Sequence, residues 1–295
     1  MEKVKIITDS TADIPKQLAK DLGISVIPIN VHVAGKCYQD GLTISPNEFY
    51  RKMRSIEELP TTSQPSPLDI VGAYKKAINN GAKQILSLHI SSKMSGTYQS
   101  CLLAKSMVEE EFPDVTIEVV DCKTVTYALG IIVVMVARAA QEGRAFSELM
   151  HLAERIREVE LLLATVDTLE YLHKGGRIGK AKALVGALLN IKPIITISDD
   201  GEIAVVDIAR GQKKANQKIF ELLKKKIPAG PVAVAALHAD NKQLADLWME
   251  KIEDLLEVKE KVMVDIGPAV GTHCGPGTVA CVVVSLDELS SGSKS

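Results

Sequence analysis

The chain has 295 residues, more than one typical hydrophobic core accommodates, and this length predicts two domains. Its hydrophobic content of 46%, charged content of 24% and net charge of -2 are ordinary for a globular protein and argue against binding to nucleic acid or to an anionic membrane surface. The five cysteines form no Cys-x-x-Cys pair, so neither a disulfide framework nor a zinc site is predicted, and a reducing cytoplasm is expected. The longest apolar run, residues 128–137, is far short of the roughly 20 residues that span a bilayer and predicts a core helix.

Strands and helices alternate through the first half of the sequence. This alternation is typical of a parallel sheet with helices on both faces. Residues 59–67 hold three prolines and four hydroxyl groups, and they predict a loop that is neither helix nor strand. The predicted strands are residues 4–9, 24–31, 84–90 and 115–121, and the predicted helices are residues 46–54, 68–79, 97–111, 126–142 and 145–158.

The second half has a different pattern. Residues 168–193 predict two helices joined by a turn, because Gly175 and Gly176 end the first helix and leave Arg177 on a glycine-bracketed turn. The remaining predictions are a hairpin over residues 194–209, helices at 213–226 and 241–256, and strands at 231–239, 262–266 and 278–285.

These patterns predict the α/β fold class with two domains. Residues 1–160 are expected to form an N-terminal three-layer domain around a parallel sheet. Residues 161–288 are expected to form a C-terminal α+β domain with a mixed sheet, and residues 289–295 a disordered tail.

Three segments near predicted strand ends carry hydrogen-bond donors. Ser95-Gly96-Thr97 opens a predicted helix, whose free N–H groups and partial positive charge suit an anion. Residues 61–63 are Thr-Thr-Ser, and residues 267–277 predict a glycine- and proline-rich loop that holds His273 in a defined position. Together with Arg177, these segments offer neutral donors, one fixed cation and one titratable group, a set that suits a carboxylate or a phosphate.

Each of these residues also has a purely structural interpretation. Ser95 stands where serine commonly caps a helix, Arg177 can simply face water, and a lone histidine is more often packed than functional. Asp9 and Asp121 are expected to cap helices and Cys274 to be a packed small residue. No Ser-His-Asp spacing and no phosphate-binding G-x-x-x-x-G-K-[ST] loop is found, so no catalytic residue, metal or cofactor is predicted.

Five short motifs in this order make the sequence resemble the DegV family. The resemblance covers nearly the whole chain, about residues 4–285. Each motif is weak alone, and their order gives the resemblance its specificity. The motifs are TDSTADIP at residues 8–15, TTSQPS at 61–66, MSGTYQS at 94–100, GGRI at 175–178 and GTHCGPG at 271–277.

The resemblance implies a two-domain fold that holds a long-chain fatty acid between its domains. It implies that the carboxylate binds to Thr62 and Ser95. The implied partner is a separate fatty acid kinase that makes an acyl phosphate, so the chain is expected to be a cytoplasmic carrier and presenter for phospholipid synthesis and not a complete enzyme. The residues implied to lie near the head group or the transferred phosphoryl group are Arg177, His273, Ser63, Gly96 and Thr97.

Two other functions stay open from the residues alone. The same donors would hold phosphate, so a phosphoryl-transfer enzyme or hydrolase acting on a small phosphorylated substrate is the alternative from another class. A regulatory protein that only senses the lipid is the third.

Overall fold

A computed structural model describes residues 4–184 and 191–291 of the chain. Within these residues, strands form one parallel sheet, one mixed sheet and one small antiparallel sheet. The strands are β1 Val4–Asp9, β2 Ser25–Ile27, β3 Asn30–Val33, β4 Lys36–Gln39, β5 Thr61–Ser63, β6 Gln84–His89, β7 Thr116–Asp121, β8 Glu160–Thr165, β9 Ile191–Ile197, β10 Ile203–Arg210, β11 Pro231–His238, β12 Glu257–Asp265 and β13 Val279–Ser285.

The helices alternate with these strands along the chain. Two short 3₁₀ turns, Ser10–Ala12 and Gly179–Leu184, supplement them. The helices are α1 Lys16–Asp21, α2 Pro46–Met53, α3 Pro67–Asn79, α4 Thr97–Glu111, α5 Tyr127–Gln141, α6 Phe146–Val159, α7 Glu170–Lys174, α8 Gln212–Lys226, α9 Lys242–Leu255, α10 Pro268–Cys274 and α11 Leu286–Ser291.

The N-terminal half is a three-layer sandwich around a parallel sheet, as predicted. The strand order is β2-β1-β6-β7, with every pair parallel. One face packs against α3 and α4 through a core that includes Ile7, Ile70 and Cys101. Because parallel strands direct their carboxyl ends to one edge, the loops after Asp9 and His89 meet at that edge.

Helix starts follow the sequence signals closely. Ser66 and Asp69 form a reciprocal capping box at the start of α3, with the Asp69 N–H donating to Ser66 Oγ at 3.2 Å and the Ser66 N–H to Asp69 Oδ2 at 3.1 Å. Ser45 Oγ likewise accepts from the Glu48 N–H at 3.3 Å at the start of α2. Asp9 caps the 3₁₀ turn that follows β1, also as expected.

The small antiparallel sheet corrects two sequence predictions. The strand predicted over residues 24–31 is interrupted at Pro28, so that β2 and β3 belong to different sheets. The loop predicted over residues 59–67 is wrong for Thr61–Ser63, which pairs with Asn30–His32 as β5. The prolines at 60 and 65 flank this strand without occupying it, so its N–H groups remain available for pairing.

The C-terminal half is built on the predicted mixed sheet, in the order β10-β9-β8-β13-β11-β12. The β11–β12 pair is parallel and the other pairs are antiparallel. One face is covered by α8 and α9, with Ile219 and the fully buried Trp248 in the core beneath them. The other face is turned toward the N-terminal half.

Helix α5 joins the two halves into one continuous core. Eleven of its residues are buried. On one side the core includes Leu86 and Leu88 of the parallel sheet, and on the other Leu162 and Val282 of the mixed sheet. We place the division between the halves near residue 160, where α6 ends and β8 begins.

Three further elements differ from the sequence predictions. The segment 267–277 was predicted as a loop, yet Pro268–Cys274 is helical because Pro268 fits the first turn of a helix. Where the second predicted helix begins, residues Gly179–Leu184 form a 3₁₀ turn, and the part of that prediction over residues 185–190 lies outside the described residues. The tail predicted from residue 289 is helical to Ser291, and residues 292–295 also lie outside it. In the described ranges no helix is long and apolar enough to cross a membrane.

Candidate functional site

A cavity of about 100 Å³ lies where the two halves meet. Its wall is formed by the loops after β1 and β6, by β5, by the turn after α7 and by α10. Five of the seven predicted site residues line it, and they come from both halves of the chain. These five are Thr62, Ser63, Ser95, Arg177 and His273.

Thr62 and His273 form a hydrogen bond across the two halves. Thr62 Oγ1 lies 2.8 Å from His273 Nε2, although the residues are 211 positions apart in sequence. Burial and the nearby Arg177 charge lower the pKa of His273 to about 4, so the imidazole is neutral at physiological pH. A neutral ring that donates from Nε2 leaves the Thr62 O–H free to donate into the cavity.

Arg177 is the single cation among the described residues of the cavity wall. Its Nε donates to the Met94 carbonyl at 3.0 Å and its Nη1 to the Gly175 carbonyl at 2.8 Å. These two bonds fix the plane of the guanidinium. No described residue accepts from its other three N–H groups, so the group is oriented and keeps donors for an anion.

Gly175 is required by the close packing of the turn before Arg177 against the His273 ring. A Cβ on Gly175 would overlap His273 Nδ1, so only glycine lets the turn before Arg177 lie directly against the imidazole. His273 Nδ1 is buried and has no hydrogen-bond partner among the described residues. The Gly-Gly-Arg motif therefore serves to bring Arg177 and His273 side by side.

Ser95 faces the cavity, but Gly96 and Thr97 do not line it. Ser95 Oγ accepts from the Thr97 N–H at 3.2 Å and lies 2.8 Å from Thr97 Oγ1. Thr97 is buried beneath it, and Gly96 packs against the Gln64 side chain. Gly96 and Thr97 therefore adjoin the cavity at Ser95 without lining it, and the N–H group of Thr97 is already engaged. Their place near the head group stays a prediction.

The Ser63 hydroxyl is also engaged, since Ser63 Oγ lies 3.0 Å from His32 Nε2. Sequence reasoning missed Thr11, whose side chain is buried and which also lines the cavity. Asp9 holds Thr11 by accepting from both its N–H and its hydroxyl. Gln64 lines the cavity as well. Both residues belong to the motifs at residues 8–15 and 61–66, but nothing in a single sequence distinguishes them from their neighbours there.

An apolar cavity of about 60 Å³ adjoins the polar one. The two share wall residues, including Val125, Leu172 and Ile203. Cys274 also lies at this junction, where burial raises the pKa of its thiol to about 12 and keeps it protonated. Aliphatic side chains from the mixed sheet, such as Ile195, form the far wall.

Three threonines in the wall of the apolar cavity direct their hydroxyls elsewhere. Thr126 Oγ1 donates to Asp13 at 2.6 Å, Thr196 Oγ1 to the Leu162 carbonyl at 2.6 Å, and Thr278 Oγ1 to the Cys274 carbonyl at 2.9 Å. The surface left facing the cavity is therefore made of methyl and methylene groups. An anionic group bonded at the polar end would have only an aliphatic continuation available to it.

No group of His, Cys, Asp and Glu side chains within residues 4–184 and 191–291 is arranged to hold a metal ion. All five cysteines are free thiols. The donors of the cavity are instead hydroxyl, imidazole and guanidinium groups, which bind anions.

Fold and cavity together define a two-part α/β protein with an amphipathic ligand cavity between its halves. The family model described as "Uncharacterised protein, DegV family" matches residues 3–286. The chain therefore belongs to the DegV family. A DegV domain-containing protein of Caldanaerobacter subterraneus subsp. tengcongensis is 35% identical over 278 residues, which cover 94% of this chain and 96% of the relative.

Two solved structures have the same fold over nearly their full length. A Thermus thermophilus protein described under "Fatty Acid Binding of a DegV family Protein" is 36% identical with a TM-score of 0.89, and the match covers 96% of this chain and 100% of that one. A stearic acid-binding protein of Eubacterium ventriosum is 27% identical with a TM-score of 0.90, and the match covers 99% of this chain and 100% of that one.

Proposed function

We propose that this protein binds a long-chain fatty acid between its two halves and presents the carboxylate to a separate fatty acid kinase. One observation carries the proposal: the cavity lined by Thr62, Ser95, Arg177 and His273 adjoins a second cavity with an aliphatic wall. The related structures described as fatty acid binding support the same ligand class. A cytoplasmic location and an acyl phosphate product for phospholipid synthesis belong to this proposal.

The two ends of the ligand have different roles in affinity. Burying each methylene contributes about 0.8 kcal/mol, so about fourteen methylenes supply roughly 11 kcal/mol before ordering costs. Hydrogen bonds to a charged group contribute about 1.5–3 kcal/mol each. The tail therefore holds the ligand, and the head-group residues set its orientation and select a carboxylate.

The first experiment is organic extraction of the purified protein followed by mass spectrometry. A long-chain fatty acid in the extract is expected. Extracts without lipid from several expression hosts, together with no affinity for a fluorescent fatty acid, would overturn the proposal. Turnover of a phosphorylated substrate by the chain alone would favour the phosphoryl-transfer enzyme or hydrolase instead.

Presentation to a kinase is tested at Arg177. Phosphoryl transfer places negative charge on the moving group, and an arginine can bind two of its oxygens at once. We expect Arg177→Ala to keep fatty acid affinity within about tenfold while acyl phosphate formation is lost when the kinase and ATP are supplied. Arg210→Ala, at an exposed position at the end of β10, is the matched control and is expected to behave like the wild type.

Three outcomes would contradict presentation of the carboxylate through Arg177. If acyl phosphate formation by the Arg177→Ala variant stays at the wild-type level, Arg177 has no part in the transfer. If melting temperature and affinity fall together, Arg177 braces the halves through its bonds to the Met94 and Gly175 carbonyls. A chain that binds the fatty acid but supports no acyl phosphate with any kinase would be a lipid sensor.

A further inference from the structure

Helix α10 lies between two features. On one side is the polar cavity lined by Thr62 and His273, called the head-group cavity below, and on the other are the carboxyl groups of Asp13 and Asp40. The helix has seven residues, so it is only about 10 Å long. Its last turn carries His273, which bonds Thr62 at 2.8 Å. A small displacement of so short a helix therefore changes the geometry of that bond.

The start of α10 is held by two carboxyl groups from the N-terminal half. Asp13 Oδ1 accepts from the Gly267 N–H at 2.9 Å, and the Asp40 carboxyl group lies beside the same first turn, close to Gly267 and to the Ala269 N–H. A Cβ on Gly267 would lie 2.7 Å from Asp13 Oδ1 and 3.3 Å from Asp40 Oδ1, so glycine is needed for this approach. The free N–H groups at the start of a helix favour such partners.

The carboxyl groups are themselves fixed. Asp40 Oδ2 accepts from Ser10 Oγ at 2.8 Å, and Asp13 Oδ2 accepts from Thr126 Oγ1 at 2.6 Å. Asp13 and Thr126 have φ angles of 48° and 55°, which non-glycine residues adopt at a cost and only where surrounding structure imposes them. Tyr50 adds a third contact by donating to the Ile266 carbonyl at 2.8 Å.

We propose that Asp13 and Asp40 are positioning residues that hold the start of α10 and thereby set the place of His273 opposite Thr62. Neither carboxyl group lines the head-group cavity, so both act through the helix. The proposal rests on the proposed function for its ligand but not for its geometry. It assigns a role to Asp13 of the first sequence motif, residues 8–15, in which Thr11 lines the cavity and Asp13 does not.

The test compares Asp13→Asn and Asp40→Asn with Asp69→Asn in the full chain. Asp69 also binds the start of a helix, α3, but lies outside the cavity wall, so it controls for the loss of a capping carboxylate. The readout is the ratio of affinities for palmitic acid and for hexadecanol. We expect this ratio to fall about tenfold in Asp13→Asn and in Asp40→Asn. Combining either substitution with His273→Ala should lower the ratio no further. The ratio should stay unchanged in the control Asp69→Asn.

A role in stability alone predicts equal losses of affinity for the acid and for the alcohol, and that result, or an unchanged ratio, would overturn the proposal.

A second readout needs no ligand. Long-range ¹H–¹⁵N spectra report the histidine ring nitrogens, with the His273 signals assigned by their absence from the His273→Ala spectrum. The His273 Nε2 signal is expected to shift in the two variants and not in Asp69→Asn; an unshifted signal overturns the proposal even if fatty acid binding itself fails. If Asp13→Asn does not fold, Thr126→Val replaces it by removing one partner of Asp13.

Discussion

The Thr62 hydroxyl is hydrogen-bonded to the neutral imidazole of His273. The site therefore differs from one in which Arg177 and a protonated His273 would both bind an anion through their charges. Because the pKa of His273 is lowered to about 4, its ring carries no charge near pH 7, and the tautomer with its proton on Nε2 donates to Thr62 Oγ1. Arg177 then supplies the charge and Thr62 the direction. The two roles can be separated by substitution.

A double-mutant cycle tests the coupling of Thr62 and His273. Each of Thr62→Val and His273→Ala is expected to weaken fatty acid binding roughly tenfold to a hundredfold, since one charge-assisted hydrogen bond is lost or misdirected. The double variant is expected to be no weaker than Thr62→Val, because His273 acts through Thr62. Titration with a fluorescent fatty acid measures all three.

Ser63→Ala is the matched control for this cycle. Its hydroxyl is bonded to His32, so its removal is expected to change affinity less than twofold. Losses that simply add in the double variant would show that Thr62 and His273 contact the ligand independently.

The donors of the site were predictable from the sequence, but their pairing was not. Hydroxyl, arginine and histidine residues between glycines and prolines indicate an anion site by their chemistry. The bond between Thr62 and His273 joins residues 211 positions apart and depends on how the two halves dock. The same holds for Gly96 and Thr97, whose exclusion from the cavity depends on the packing of Ser95 over them.

Among the structural elements, β8 and β13 shape the aliphatic end of the cavity. Ala164 and Ala280 are directly paired across these strands, and both line the apolar cavity. Two small side chains side by side leave room that larger residues would fill. The length of acyl chain that fits is therefore sensitive to these positions.

Ala280→Phe is expected to shift binding toward shorter acyl chains. Each methylene that can no longer be buried costs about 0.8 kcal/mol, or roughly fourfold in affinity, so the loss should grow with chain length. A series of saturated fatty acids from decanoic to stearic acid measures it. Ala236→Leu is the control, because it enlarges a residue in the core beneath α8 and α9. It should lower the melting temperature without changing the preference for acyl chain length. An equal loss for every chain length in Ala280→Phe would place the tail elsewhere.

Long helices and strands with a clear hydrophobic periodicity were predictable from the sequence. Short elements that are held in place by residues distant in sequence were not. Helices α3 and α4 and strands β6 and β7 have the predicted extents within one or two residues. Strand β5 has three polar residues and exists because β3 offers it an edge. Helix α10 is flanked by Gly267 and Gly275 and is held at its start by carboxyl groups distant in sequence, so composition alone indicates a loop.

At the scale of the whole molecule, buried carboxyl groups couple stability to pH. Burial is the main cause that raises the pKa of Asp40 and of Glu160, each to about 7, and raises that of Asp13. A carboxyl group with a raised pKa binds its proton more tightly in the folded state. Its contribution to stability is complete below the ordinary pKa near 4 and is lost as pH rises through about 7.

Asp40→Asn isolates one of these contributions. Between about pH 4 and 7 the wild type should lose stability relative to this variant by about 1.4 kcal/mol per pH unit, the value for one proton. Urea unfolding at several pH values measures the difference. Parallel pH curves for the wild type and Asp40→Asn would mean that Asp40 keeps an ordinary pKa.

The position of α5 between the two sheets has a consequence for ligand exchange. Its eleven buried residues would lose roughly half of their burial if the halves moved apart, at a cost on the order of 10 kcal/mol. That cost is comparable to the entire stability of a typical protein. The two halves are therefore not expected to separate by a hinge motion. The protein should unfold as one cooperative unit. A ligand must instead pass through a local gap between short elements while the shared core stays intact.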